Sequence, residues 1–153
     1  MATIELFNTL GGKIETLTPV DQKALRMYCC GPTVYDYGHI GNFRTFLHVD
    51  ALRRVIRMNG MNTRHVMNVT DVGHMTSDED AGEDKIEKTA RAQGKSPLEV
   101  ANFYLEQFQR DCATLNLEPP QVWSRATDHI GDMIALIQRI IDAGVAYVTK
   151  SGV

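Results

Sequence analysis

Residues 30–42 constrain the fold more than any other part of this 153-residue chain. They follow a short apolar run, 25–29, which is typical of a buried strand, and precede an amphipathic run, 43–58, which predicts a helix. A strand, a glycine-bearing turn and a helix N-terminus often hold a nucleotide phosphate, because the first-turn N–H groups and the helix dipole attract anions. We therefore expect a phosphate-binding turn, with His39 as a further donor and Gly41 letting the ligand approach the backbone.

The rest of the sequence predicts an α/β fold. A hairpin is expected around Gly11-Gly12, and a second buried strand at 64–69 completes a strand–helix–strand unit of a parallel sheet with flanking helices. Further predicted elements are helices at 83–93, 97–115 and 128–143 and a strand at 145–149. The acidic segment 71–84 is expected to be a surface loop of unknown role.

Composition narrows the function classes. A net charge of −3 argues against a generally basic nucleic-acid surface, and Arg53, Arg54 and Arg57 are expected on a solvated helix face. The three cysteines are an odd number and two are adjacent, so they imply no disulfide framework and fit a cytoplasmic protein. No apolar run reaches the roughly 20 residues of a membrane span, so no membrane partner is expected.

Residues 30–42 resemble the cysteinyl-tRNA synthetase family of class I aminoacyl-tRNA synthetases. His39-Ile40-Gly41-Asn42 stands in the place of the family's His-Ile-Gly-His motif, and the resemblance continues through 44–46, 68–71, 84–86 and 125–130. It implies a Rossmann-like nucleotide-binding domain, with residues 1–118 as its first half and 119–153 as the start of the insertion that connects the halves. The family's Lys-Met-Ser-Lys-Ser signature is not found, so we expect an N-terminal fragment that is inactive alone.

The resemblance also implies an activity. The enzyme would use ATP with Mg²⁺ to activate L-cysteine as cysteinyl-adenylate and would transfer the cysteine to tRNA(Cys), acting as a monomer at full length. Two alternatives stay open: a related ligase that joins cysteine to an amino sugar, and a non-catalytic truncated module that binds a nucleotide or a partner protein.

The adenylation step needs donors aimed at phosphate oxygens, because charge develops on the triphosphate. His39 and Asn42 are the candidate catalytic residues. Asn42 can donate a hydrogen bond but cannot carry a positive charge, and it could instead be a plain helix N-cap. The expected ATP-binding residues are Pro32, Thr33, His39, Gly41 and Asn42. By resemblance, Gly31, Thr33 and Thr70 line the cysteine pocket.

Cys30 is the candidate metal ligand. In the family a zinc ion binds the substrate thiolate and so selects cysteine over serine, which is sound chemistry because a thiolate is a far better zinc ligand than a hydroxyl. Cys29 should point to the opposite face of the strand and is not expected to be a co-ligand. The other ligands are expected beyond residue 153. The alternative role for Cys30 is that of a small buried hydrophobe.

Overall fold

The computed structural model describes residues 3–20, 23–73, 84–149 and 152–153. They divide into two compact units that alternate along the chain. The first unit takes in the described parts of Met1–Cys30, Gly38–Met67 and Gln109–Trp123. The second takes in those of Gly31–Tyr37, Asn68–Phe108 and Ser124–Val153.

The predicted hairpin is confirmed. Strand β1 (Glu5–Asn8) pairs antiparallel with β2 (Lys13–Thr16). Gly12, in the turn between them, has a φ of 64°, which glycine adopts without the steric cost that a side chain would bring.

A three-stranded sheet confirms the predicted α/β class. Its strands are β3 (Leu25–Cys29), β4 (Thr63–Val69) and β5 (Val122–Arg125), in that order across the sheet. β3 runs parallel to β4, and helix α1 (Ile40–Met58) connects the two, so the expected strand–helix–strand unit is present. Alternate residues of β4 are buried, because successive side chains of a strand point to opposite faces.

The last part of the chain differs from the prediction. The strand expected at 145–149 is wrong: no strand is assigned to these described residues, and Val145, Tyr147 and Val148 are each at least 70% exposed. β5, which the sequence analysis did not predict, lies earlier in the chain.

Three further helices begin and end largely where local signals place them. Helix α2 (Lys85–Gln93) begins after Asp84, whose carboxylate accepts from Ile86 N–H at 2.7 Å, and ends at Gly94 with a φ of 64°. Helix α3 (Pro97–Thr114) follows a reciprocal Ser96–Glu99 capping pair. A short 3₁₀ turn (Thr127–His129) leads into α4 (Ile130–Asp142).

Each unit has its own buried side chains. Phe46, Ile56 and Met67 are buried in the first unit, and Val69 and Val100 in the second. Within the described ranges no helix is both long and apolar enough to cross a membrane. Most of the acidic segment predicted as a surface loop, residues 74–83, lies outside the described residues.

Candidate functional site

The start of α1, in the first unit, is organised around His39. Its backbone is extended, and its imidazole Nδ1 accepts hydrogen bonds from the N–H groups of Gly41 at 3.1 Å and Asn42 at 3.3 Å. In return Asn42 Oδ1 accepts from the His39 N–H at 3.0 Å. The two side chains therefore form a reciprocal capping box, which satisfies N–H groups that a helix terminus otherwise leaves without partners.

This capping box fixes the chemistry of the His39 ring. An imidazole nitrogen that accepts two N–H bonds carries its lone pair there, so the neutral ring holds its proton on Nε2. His39 is exposed, so its Nε2–H is a donor at the surface. The side chain is therefore able to donate to a phosphate oxygen, and Nε2 is the nitrogen that would do so.

The backbone of the same turn behaves differently from the expectation. The helix begins at Ile40 and His39 is its N-cap, so the alternative that Asn42 is a plain N-cap is wrong: it occupies the third helical position. The N–H groups of Gly41, Asn42 and Phe43 all bond His39. Those of Gly41 and Asn42 hold the imidazole, and that of Phe43 donates to the His39 carbonyl oxygen, so in this arrangement the three do not point at an anion.

Gly41 has a packing role beside its predicted one. A Cβ at this position would lie 2.9 Å from His39 Cε1 and 3.0 Å from Nδ1, closer than side-chain carbons approach such atoms. Gly41 thus lets the His39 ring lie against the helix terminus.

The residues expected to line the cysteine pocket lie side by side in the second unit. Thr33 and Thr70 form a parallel β-bridge. The Thr70 N–H donates to Pro32 O at 3.0 Å, and Thr70 O accepts from the Val34 N–H at 3.2 Å. Gly31 adjoins this ladder. The backbone groups of Thr70 are therefore satisfied internally, and its side chain is the part left to act on a ligand.

Sequence reasoning missed the side chain that joins this cluster. Asn68 Oδ1 accepts from the Gly31 N–H at 2.9 Å, and its Nδ2 donates to Thr70 Oγ1 at 3.1 Å. The signal was present, because an asparagine placed two residues before a predicted pocket threonine on a strand shares its face.

Asp71 anchors the segment that follows Thr70. Its side chain, 1% exposed, accepts from Arg125 Nε at 3.0 Å, from the Thr127 N–H at 3.0 Å and from the Thr127 hydroxyl at 2.7 Å. Burial acts to raise the pKa of Asp71, but the hydrogen bonds from Thr127 and Arg125 and the Arg125 charge hold that pKa below its usual value. The end of β4 is thus tied to the end of β5 within the second unit.

The prediction of a solvated arginine face on α1 is wrong for Arg53, whereas Arg54 is partly exposed and Arg57 is exposed. Arg53 is 4% exposed, lies 3.1 Å from the Glu118 carboxylate, and donates to the carbonyl oxygens of Glu118 and Pro119. Arg54 and Arg57 also pair with Glu118. The expectation failed because Glu118 is far away in sequence. A cavity of about 380 Å³ borders Arg53 in the first unit, and no predicted site residue lines it.

Cys30 follows the end of β3 and is exposed, so the alternative of a small buried hydrophobe is wrong. Burial, and then the neighbouring Cys30, raise the pKa of Cys29. Among the described residues no three His, Cys, Asp or Glu side chains are grouped to hold a metal ion. These residues by themselves do not fit a zinc site, which needs three or four protein ligands.

Comparison with known proteins decides the family. Residues 16–153 match the family model described as the tRNA synthetases class I (C) catalytic domain. The chain belongs to this family. It is 48% identical over 151 residues to a cysteine–tRNA ligase of Zymomonas mobilis, an alignment that covers 99% of this chain and 29% of that protein.

Two further relatives carry the same name. A cysteine–tRNA ligase of Koribacter versatilis is 50% identical over 149 residues, covering 97% of this chain and 28% of that protein. One of Treponema denticola is 50% identical over 145 residues, covering 95% and 30%. The family resemblance drawn from the motifs is thereby confirmed. The 153-residue chain spans less than a third of the length of each of these relatives.

Proposed function

We propose that this chain carries the N-terminal catalytic part of a cysteine–tRNA ligase, which activates L-cysteine with ATP and transfers it to tRNA(Cys). The relatives that bear this name support the proposal. The observation that carries it in the structure is the cluster of Gly31, Thr33 and Thr70 at the strand ends, because these are the residues expected to line a cysteine pocket.

In the proposed reaction the cysteine carboxylate attacks the α-phosphorus of ATP, and pyrophosphate leaves. His39 donates its Nε2–H to a phosphate oxygen and stabilises the charge that develops there. Gly41 and Asn42 hold the imidazole in that orientation. Pro32 and Thr33 complete the proposed ATP-binding set, and Mg²⁺ accompanies the triphosphate.

The remaining proposals concern the whole protein. Residues 1–118 form the first half of its catalytic domain, and 119–153 begin the insertion between the halves. The full-length enzyme acts as a monomer in the cytoplasm. Its substrates are L-cysteine, ATP and tRNA(Cys).

For zinc, we propose only that Cys30 supplies one thiolate ligand in the full-length protein, because it is exposed immediately after a strand. Zinc content after dialysis tests this. Cys30→Ser should lower the content from one zinc per chain toward zero, whereas the adjacent control Cys29→Ser should retain it. Equal zinc in both variants would contradict the assignment.

The proposed activity is tested by charging. The full-length protein is incubated with ATP and labelled L-cysteine, first with a tRNA(Cys) transcript and then with an amino-sugar acceptor. Acid-stable attachment of cysteine to tRNA supports the proposal. Labelled amide formed only with the amino sugar would favour the related ligase, and no product with either, together with no cysteine-dependent pyrophosphate exchange, would favour a non-catalytic module.

A further inference from the structure

The orientation of the Asn68 side chain follows from its partners. The Gly31 N–H can only donate, so the atom 2.9 Å from it must be the amide oxygen. The amide nitrogen therefore faces Thr70 Oγ1, 3.1 Å away, and must be the donor of that bond. The two contacts assign the amide without ambiguity, because the opposite orientation would place two donors against each other at Gly31.

The same geometry restricts the direction of the Thr70 hydroxyl. Its oxygen accepts the Asn68 bond, so the hydroxyl hydrogen must point elsewhere. The backbone N–H and C=O of Thr70 are already bonded to the neighbouring strand end, and no described residue accepts from the hydroxyl. What remains is an O–H donor whose hydrogen is directed away from Asn68.

We propose that Asn68 is a positioning residue that fixes Thr70 as a donor toward an acceptor group of the amino-acid substrate. This inference rests on the proposed function, in which Thr70 contacts cysteine. An acceptor on that substrate is its carboxylate or its sulfur, whereas its ammonium group can only donate. Asn68 thereby helps to select the orientation in which the amino acid binds.

Asn68→Asp tests the inference, because it is nearly isosteric and keeps an oxygen for the Gly31 N–H. The second carboxylate oxygen is an acceptor, so it should take the Thr70 hydroxyl hydrogen and remove the donor from the substrate. In cysteine-dependent ATP–pyrophosphate exchange by the full-length protein, we expect the KM for cysteine to rise about tenfold, as for one lost hydrogen bond. The KM for ATP should be unchanged.

Three comparisons separate this effect from a general one. Thr70→Val should raise the KM for cysteine by a similar factor, Thr70→Ser should keep it, and Asn68→Asp should add nothing in the Thr70→Val background. If Asn68→Asp acted only through its added charge, it would raise the KM for cysteine further in the Thr70→Val background. Asn102→Asp is the matched control, because its oxygen accepts from Arg125 and an aspartate can do the same.

The outcomes distinguish the two levels of proposal. Wild-type exchange together with an unchanged cysteine KM in Asn68→Asp, or with additive effects in the double variant, overturns the inference alone. Absence of cysteine-dependent exchange in the wild type overturns the proposed function, and the inference falls with it.

Discussion

The start of α1 in the first unit and the strand-end cluster in the second unit both bond backbone groups internally but differ in the partners that they use. At the helix start, the N–H groups of Gly41 and Asn42 bond the exposed imidazole of His39, and that of Phe43 bonds the His39 carbonyl oxygen. At the strand ends, Thr70 is held by backbone bonds on both sides and by Asn68. The arrangement at the helix start depends on one surface side chain, whereas the arrangement at the strand ends depends mainly on backbone hydrogen bonds.

The difference shows how each region can recognise a ligand. Neither region keeps a row of unused backbone donors for an anion. Each instead presents side-chain donors, among them Nε2–H of His39 and the hydroxyl of Thr70. For the helix start we therefore propose recognition through a side chain that the helix N-terminus orients, in place of the recognition by the N-terminus itself that the sequence predicts.

The largest expected effect is at His39. His39→Ala should lower the exchange rate of the full-length protein by about 10² to 10³, the range for one preorganised donor. His39→Asn should lower it as much while retaining an N-cap, because asparagine caps helices well. If His39→Asn keeps the wild-type rate, His39 is only a cap and the comparison fails.

Asp71→Asn tests how much the buried Asp71 carboxylate stabilises the second unit. We expect a loss of about 3 kcal/mol in unfolding free energy, because the change leaves Arg125 without its buried partner. Urea unfolding of the 153-residue chain measures it. Asp132→Asn is the control, because that carboxylate is 81% exposed and its loss should cost under about 0.5 kcal/mol. Equal losses of unfolding free energy in the two variants would show that the burial of Asp71 does not add to its contribution.

The pH dependence of stability follows from the same group. The folded pKa of Asp71 is depressed, so its contribution is present above the ordinary aspartate pKa of about 3.9 and is lost as pH falls through the folded value. Wild-type stability should therefore fall more steeply below about pH 4 than that of Asp71→Asn. Parallel curves for the two proteins would contradict this assignment.

Gly41→Ala should disturb the start of α1 alone. The added Cβ would meet the His39 ring, so we expect about a tenfold loss of exchange rate, less than the loss for removing the donor. Gly131→Ala, in the first turn of α4, is the control, because its Cβ would meet nothing within 4 Å. A loss of rate in the control, or none in Gly41→Ala, would argue against this role.

The smallest effect is expected at Asn42. Asn42→Ala removes one half of the capping box and should cost about 0.5–1 kcal/mol of stability with a modest loss of rate. Asn42→His restores the commoner family motif and should cost less. The reverse order in the same exchange assay would mean that Asn42 has a role of its own.

Local signals in the sequence were enough for much of the fold. The turn at Gly12, the Ser96–Glu99 pair and Gly94 each act within a few residues, so the hairpin and the limits of α2 and α3 could be predicted. β5 could not, because its four residues form a strand only through pairing with the sheet. The apolar run at 145–149 predicted a strand that the structure does not contain, since apolar residues alone do not supply a pairing partner.

The same limit applies to the site. The motif identified His39 and Thr70, but not their hydrogen-bond partners, which decide what each side chain can donate. Histidine is not a usual N-cap, so the pattern favoured Asn42 in that role. The burial of Arg53 was missed because Glu118, its partner, lies 65 positions further along the chain, and no local pattern reports such a distance.

The central claim is that the helix start uses its backbone N–H groups to bind His39 Nδ1 and leaves Nε2–H for the ligand. Long-range ¹H–¹⁵N correlation of the ¹⁵N-labelled 153-residue chain at about pH 8 reads the tautomer directly. We predict a protonated Nε2 and an unprotonated Nδ1 for His39. A protonated Nδ1 would contradict the account, because that nitrogen could not then accept from Gly41 and Asn42.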